Sequence, residues 1–96
     1  MKKQKFKVGT FVHVAKDLGS MMSHFENNVD AIIGYTYAQK YGGTDNKSYS
    51  LYLIKNGKVY NSVAWYEEHQ LTALPAQDYD EACKMVGDFC LRFMLD

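Results

Sequence analysis

In several stretches of the first three quarters of the chain, apolar and polar residues alternate, and this period of two predicts a series of β-strands. The first predicted strand covers residues 6–14 and bends at Gly9 and Thr10. Its apolar side chains share one parity and are Phe6, Val8, Val12 and Val14. Residues 16–28 mix glycine, serine, asparagine and charged residues without a period, so they predict a long loop with one helical turn near Ser20.

The middle of the chain predicts three further strands. Residues 29–41 are rich in β-branched and aromatic side chains and predict a long second strand, with a bulge or bend at Gly34. A third strand is predicted over residues 48–54. The Asn-Gly pair at residues 56–57 predicts a type I′ turn, because both central residues of that turn need a positive φ. The fourth strand, residues 58–66, therefore folds back antiparallel on the third.

A turn at residues 67–70 and a short fifth strand at residues 71–74 complete the predicted β part. Five strands joined at intervals of roughly ten residues favour a closed barrel over an open sheet, because closure removes exposed edges. The period then changes to that of a helix over residues 78–95, where Asp78 and Glu81 have capping-box spacing. The predicted fold class is mainly β with one C-terminal amphipathic α-helix.

The C-terminal half of this predicted helix is apolar around much of its circumference. Outside its main stripe it carries Met85, Leu91, Met94 and Leu95. Such a helix is either buried on more than one side or in contact with a partner, which leaves a homodimer open. On a helix, Cys83 and Cys90 would lie roughly 10 Å apart, beyond the roughly 7 Å limit for a disulfide, so both are predicted to be thiols in a reducing cytosol.

Composition and charge are typical of a single small domain over residues 1–96. The 96 residues are 47% hydrophobic and 15% aromatic, which is ample for one core. No membrane-spanning stretch or secretory signal is recognisable, so a soluble, cytoplasmic protein is expected. Nine lysines against four acids give residues 1–58 a charge of +5, and two basic residues against seven acids give residues 59–96 a charge of −5. This polarity can steer a partner.

The five predicted strands together resemble the small SH3-like barrels of the KOW and Tudor kind. The resemblance covers residues 6–74 and rests on the stretches "FKVGTFVHVAKDLG", "VDAIIGYTY", "SYSLYLIKNG" and "VAWYEEHQLTAL". The chain is also similar to short proteins of bacteria and their phages that carry "MSHF" early and "SWYEEHQL" late, here residues 22–25 and 64–71. The resemblance implies a five-stranded SH3-like barrel with an added C-terminal helix. The carboxylate that usually follows the first-strand glycine is Thr10 here, so no role is carried over for it.

The resemblance implies binding rather than catalysis. Small phage and mobile-element proteins commonly occupy the surface of a host complex, so an anti-defence inhibitor, similar to anti-CRISPR proteins, is the specific expectation, with a protein as its partner. A KOW-like nucleic-acid-binding domain is the alternative, and it would use the N-terminal lysines and the aromatic side chains. Arginine, which suits phosphate and guanine contacts, occurs once, at Arg92.

Motifs for catalysis or metal binding are not recognisable in the sequence. The adjacent carboxylates Glu67 and Glu68 would point to opposite faces of a strand, whereas an acid–base pair must converge on one bond. The histidines lack the short ligand spacings of zinc sites; they are His13, His24 and His69. We therefore expect neither enzymatic activity, nor a metal, nor another cofactor.

Aromatic side chains are the most prominent feature of the composition, with eight Tyr, five Phe and one Trp. We expect Trp65 in the core. Eight tyrosines cannot all be buried with hydroxyl partners, so several are expected on the surface, where tyrosine makes good protein contacts. The predicted binding surface is a polar and aromatic rim between the long loop and the turn at residues 67–70, together with two tyrosines of the second strand. Its residues are Tyr66, Glu67, Glu68, His69, His24, Tyr35 and Tyr37.

Overall fold

The fold is a six-stranded antiparallel sheet with two short α-helices, in a computed structural model that describes residues 5–62 and 64–87. The strands are β1 Phe11–Val14, β2 Val29–Thr36, β3 Ser48–Lys55, β4 Lys58–Asn61, β5 Tyr66–Glu67 and β6 Leu71–Ala73. The helices are α1 Tyr37–Tyr41 and α2 Tyr79–Val86, and 3₁₀ turns lie at Ser20–Met22 and Glu68–Gln70. The strand order is β4–β3–β2–β1–β6, and β5 pairs with the start of β3. The predicted fold class, mainly β with a C-terminal helix, is confirmed.

The sheet formed by the described residues is open, so the predicted five-stranded closed barrel is not confirmed. The predicted fourth strand, residues 58–66, is divided into β4 and β5, which pair with opposite ends of β3. The break follows from Ser62, whose hydroxyl accepts a hydrogen bond from the Leu51 N–H (3.1 Å) and donates one to the Ala64 carbonyl (3.1 Å). The Ser62 N–H still donates to the Leu51 carbonyl (2.8 Å), but the side-chain oxygen replaces the backbone acceptor, so the regular ladder with β3 ends at this residue.

The second strand ends at Thr36, and the strand predicted for residues 37–41 is wrong because these residues form α1. The Thr36 hydroxyl accepts a hydrogen bond from the Gln39 N–H (3.1 Å), and the Gln39 side-chain oxygen accepts one from the Thr36 N–H (2.8 Å). This reciprocal capping box satisfies two backbone donors at the helix start. It therefore outweighs the β-propensity of Tyr37 and Tyr41.

The ribbon formed by β2 and β3 is buried on both faces. One face, called the inner face, lies against the main core of Phe6, Val12, Val14, Leu18, Ala31, Ile33, Tyr49, Leu51, Leu53, Ala64, Tyr66 and Leu71. On the opposite, outer face, the fully buried Ala82 of α2 packs with Ile32 and Tyr52, and Met85 and Val86 pack around them. Helix α2 thus covers this face of the sheet, and each large buried side chain contributes about 1.5–3 kcal/mol.

The ends of helix α2 follow from its sequence. Asp78 caps the start, and its carboxylate accepts a hydrogen bond from the Glu81 N–H (3.0 Å), as the spacing predicted. The helix ends at Val86, before Gly87 with its φ of 84°, whereas the sequence predicted a helix over residues 78–95. Cys83 is half-buried on α2. The remaining predictions for this region lie outside the described residues, and they concern Cys90, Leu91, Arg92, Met94, Leu95 and the homodimer contact.

Two local predictions in the middle of the chain are confirmed. Asn56 and Gly57 have φ values of 52° and 77°, as a type I′ turn requires. The register of β2 against β3 shifts between Ile33 and Tyr35, so Gly34 marks a β-bulge. The bulge changes which face the following side chain occupies. Tyr35 pairs with Ser50, which lies between two inner-face residues of β3, so Tyr35 lies on the outer face, opposite to Ile33.

Replacement of Gly34 by alanine tests the bulge. The new Cβ would lie 2.7 Å from Cε2 of Tyr52 and 3.0 Å from the Ser50 carbonyl oxygen, both too close. We expect Gly34→Ala to lower the free energy of unfolding by about 1–3 kcal/mol, measured by urea denaturation. In a Tyr52→Leu background the ring is gone and the penalty of Gly34→Ala should be smaller. Equal penalties in the two backgrounds would show that the ring contact is not the cause.

Candidate functional site

Four aromatic side chains from three segments meet at one end of the β2–β3 ribbon, and we call them the aromatic cluster: Tyr35, Tyr37, Tyr41 and Trp65. The ring centroid of Trp65 lies 5.8 Å from that of Tyr35, 5.1 Å from that of Tyr37 and 6.1 Å from that of Tyr41. Tyr37 and Tyr41 are 4.8 Å apart, and the rings meet at angles between 46° and 72°. Such tilted and edge-to-face pairs contribute about 0.5–1.5 kcal/mol each beyond burial.

Local structure explains why these four side chains converge. Tyr37 and Tyr41 are four residues apart on α1, so they share one face of that helix. The bulge at Gly34 turns Tyr35 to the outer face of the sheet. Trp65 directly precedes Tyr66, whose side chain points into the main core, and consecutive residues of an extended chain point to opposite faces. Trp65 therefore also lies on the outer face.

The aromatic cluster is held together and yet reaches solvent. Tyr35 forms its base, with 9% of its surface exposed, whereas Tyr37 and Tyr41 expose 40% and 61%. Trp65 is half-buried between them, although the sequence predicted a core position. Tyr35 and Tyr37 belong to the predicted binding surface, but Trp65 and Tyr41 do not, because only the fold brings them together. The surface offered by the cluster is therefore aromatic and ordered.

Lys40 adds a positive charge to the aromatic cluster. Its ammonium nitrogen lies 5.4 Å from the ring centroid of Tyr35 and 5.6 Å from that of Tyr41, which is cation–π geometry. It also lies 3.5 Å from the Tyr35 hydroxyl oxygen. Within the described parts of the chain, Lys40 makes no ion pair with a carboxylate. Sequence reasoning missed this lysine, although it directly precedes Tyr41 and lies three residues after Tyr37 in the sequence.

The structure places Tyr66 in the core rather than on the predicted rim. Only 1% of its surface is exposed, and its hydroxyl donates a hydrogen bond to the Glu26 carbonyl (2.8 Å). Burial raises the pKa of the Tyr66 hydroxyl. A side chain so enclosed anchors the long loop to the core and cannot contact a partner.

The polar residues of the predicted rim stay at the surface but form no single site. The imidazole Nδ1 of His69 lies 3.5 Å from a carboxylate oxygen of Glu67, and both side chains are exposed. Glu68 is half-buried, and its backbone N–H donates to the Lys47 carbonyl (2.9 Å). His24 packs on the ring of Phe25 with centroids 4.3 Å apart. In the described ranges, no hydrogen bond, ion pair or ring contact joins His24 to Glu67 or His69.

The long loop between β1 and β2 contacts the 3₁₀ turn Glu68–Gln70 through Gln70, a buried residue that sequence reasoning missed. Its side-chain nitrogen donates to the Leu18 carbonyl (3.2 Å) and lies 3.5 Å from the Met22 sulfur. Its side-chain oxygen accepts from the Glu67 N–H (2.9 Å). Its backbone carbonyl accepts from the Ala15 N–H (2.9 Å). One glutamine therefore ties the loop, the turn and the end of β1 together, which leaves it a structural role.

His13 is a separate titratable site on β1, and its contacts are structural as well. Its Nδ1 lies 2.9 Å from an Asp30 carboxylate oxygen, and its Nε2 lies 3.1 Å from the Asn28 side-chain oxygen. The hydrogen bond to Asp30 is the main cause of a raised His13 pKa, because both acceptors favour the imidazolium. Among residues 5–62 and 64–87, no three side chains of His, Cys, Asp and Glu are arranged to hold a metal ion.

Replacement of Gln70 by glutamate tests the buried amide. The carboxylate keeps the shape and the acceptor but cannot donate to Leu18, so Gln70→Glu should destabilise the fold by about 1–3 kcal/mol at neutral pH. Burial raises the pKa of the new side chain in the folded state, so the penalty should shrink as the pH falls below that pKa. Gln39→Glu is the matched control, because Gln39 acts there as an acceptor. Equal urea-denaturation penalties for both variants would contradict the assigned donor role.

The His13–Asp30 contact predicts a pH dependence. A folded-state pKa above the usual 6.5 means that the contact stabilises the protein at pH values below the unfolded pKa, and that this contribution is lost as pH rises through the folded pKa. In NMR titrations, Asp30→Asn should lower the His13 pKa towards 6.5. The control Asp80→Asn, on α2, should leave it unchanged. A His13 pKa that does not respond to Asp30→Asn would show that another group sets it.

The described helices include none that is long and apolar enough to cross a membrane. The resemblance of the sequence to SH3-like barrels stays a prediction. Comparisons with protein families, with curated proteins and with solved structures find no match for this chain.

Proposed function

We propose that this chain is a non-enzymatic protein-binding module and that the aromatic cluster with Lys40 is its contact surface. The observation that supports this proposal is that Tyr37 and Tyr41 expose 40% and 61% of their surface while they stay in ring contact with Trp65. Aromatic side chains that are already ordered lose little entropy on binding and offer a large contact area. Tryptophan and tyrosine are also the residues that most often dominate binding energy at interfaces.

Tyr60 differs from the tyrosines of the cluster. It exposes 53% of its surface on β4, where it pairs with Leu53 in the β3–β4 hairpin. Isolated exposed aromatic residues are common on protein surfaces and need no functional explanation. A group of four aromatic side chains with a lysine ammonium group above two of the rings is less common. A tryptophan at the centre of such a group is typical of a binding surface.

The proposal extends to the fold family and the setting. A long loop between β1 and β2, a hairpin of β3 and β4, and a 3₁₀ turn before β6 support an SH3-like fold. The resemblance to short phage proteins favours an inhibitor of a host complex, of the anti-defence kind, acting in the bacterial cytoplasm. Glu67, Glu68, His69 and His24 are then a second surface to test.

Site-specific photo-crosslinking tests this proposal. A photoreactive phenylalanine analogue replaces Tyr41 in one variant and Tyr60, of similar exposure, in the matched control. In bacterial cells, we expect a covalent adduct to one protein partner from position 41 and not from position 60. Trp65→Ala should abolish the adduct, because loss of a central aromatic residue costs about 2–4 kcal/mol of binding, a factor of at least about 30.

A crosslinking yield that is the same at positions 41 and 60, or absent at both, would contradict the aromatic cluster as the contact surface. A third variant carries the analogue at His69, in the polar rim. An adduct from position 69 alone would transfer the binding surface to that rim. Circular dichroism and urea denaturation of each variant establish that the fold is intact.

A further inference from the structure

We infer that the aromatic cluster takes an acidic peptide segment, in which a carboxylate contacts Lys40 and a neighbouring apolar side chain packs on Tyr41 and Trp65. The inference rests on the proposed binding function and names the chemical class of the partner. It follows from three features of the cluster: the contacts of the Lys40 ammonium group, the distance between that group and the Tyr41 ring, and the charged residues nearby.

The first feature is the state of Lys40. Its ammonium group is positioned by two ring faces and by the Tyr35 hydroxyl, not by an acid of the described residues. A cation fixed above aromatic rings attracts a carboxylate without losing an existing ion pair. Because the lysine is exposed, the carboxylate reaches it from solvent. The apolar rings next to it exclude water from one side of that contact, which strengthens the attraction.

The second feature is spacing. The ammonium nitrogen of Lys40 lies 5.6 Å from the ring centroid of Tyr41, so the charge and the exposed ring are neighbours on the surface. An extended peptide rises about 3.3 Å per residue and points alternate side chains to the same face. Two side chains on one face are therefore about 6.6 Å apart. A carboxylate two positions from an apolar residue fits both groups at once.

The third feature separates an acidic peptide from a nucleic acid, which also carries anions and rings. A nucleic-acid strand needs several cations along its phosphates, because each neutralised phosphate adds to affinity. Asp45 lies beside the cluster, since its carbonyl accepts a hydrogen bond from the Ala38 N–H of α1 (2.9 Å). Hydrogen bonds from the Lys47 N–H and from Ser48 lower the pKa of the Asp45 carboxyl, so it stays negative. Lys47 is exposed and its positive charge acts on the Asp45 carboxylate, so these two charges offset each other. The excess positive charge beside the cluster is that of Lys40, which suits a single carboxylate better than a polyanion.

Trp65 provides the readout, because it is the single tryptophan of the chain and lies inside the proposed site. The full chain is titrated with three synthetic peptides that are identical except for one position, two residues from a central phenylalanine. That position holds glutamate, glutamine or lysine. We expect the glutamate peptide to shift the Trp65 fluorescence with an affinity about three- to fivefold above that of the glutamine peptide, as for an exposed ion pair. The lysine peptide should bind more weakly still.

Two variants assign the selectivity to Lys40. In Lys40→Met, the difference between the glutamate and glutamine peptides should fall within the error of the titration. Lys58→Met is the matched control, because Lys58 is also exposed but lies at the hairpin end of the sheet. It should keep the full difference. Tyr41→Ala should weaken all three peptides, because it removes the apolar contact they share.

Other outcomes overturn the inference in distinguishable ways. Equal affinities of the three peptides, all lost in Tyr41→Ala, would remove the acidic preference and leave the proposed binding function in place. If an oligo-thymidine of about ten nucleotides binds more tightly than the peptides, and salt weakens this binding steeply, the partner is a nucleic acid and not an acidic peptide. No fluorescence change with any peptide at about 1 mM would also overturn it. The crosslinking from position 41 then decides the proposed function independently.

Discussion

The hydrogen bonds of the buried Gln70 side-chain amide are the interactions on which the rest of the structure depends. Burial of a primary amide without hydrogen-bond partners lowers the stability of the fold by several kcal/mol. The amide is therefore stable only where hydrogen-bond partners surround it. Here the partners belong to the long loop and to the start of the 3₁₀ turn, and the backbone carbonyl of the same residue holds the end of β1. The turn is therefore fixed relative to both the loop and the sheet. Because β5 leads directly into this turn, the position of Trp65 is fixed as well.

Tyrosine serves this small fold in two ways. In the core, Tyr49 accepts hydrogen bonds from the Lys5 and Phe6 N–H groups (2.9 and 3.1 Å), and Tyr66 donates one to the Glu26 carbonyl. Each ring fills the interior while its hydroxyl holds a segment without regular structure. In the aromatic cluster, the rings instead contact one another, and those of Tyr37 and Tyr41 stay exposed. The core tyrosines thus use their hydroxyl groups to bond backbone groups, whereas the tyrosines of the cluster use their rings for contacts with other aromatic side chains.

Features set by neighbouring residues could be predicted from the sequence. The Asn-Gly turn, the bulge at Gly34, the Asp78 cap and the turn before β6 each depend on a few adjacent positions, and each is confirmed. Residues 37–41 were harder to predict, because the strand preference of tyrosine competes with a helix-starting capping box. The sequence shows both signals but not which of the two is stronger. The neighbours of Trp65 could not be predicted at all, since they depend on the bulge, on α1 and on the pairing of β5 with β3. Sheet closure likewise depends on pairing between distant strands.

Burial on both faces of the β2–β3 ribbon has a consequence for how these strands find their alignment. Ile32 and Ile33 are adjacent, both fully buried, and on opposite faces. A slip of one residue would exchange one apolar side chain for another, so the hydrophobic pattern by itself discriminates weakly between registers. The β2–β3 register therefore depends on the bulge at Gly34, the glycine that lets Tyr52 approach β2. A side chain at this position disfavours the native register itself, and so raises the population of mispaired strands.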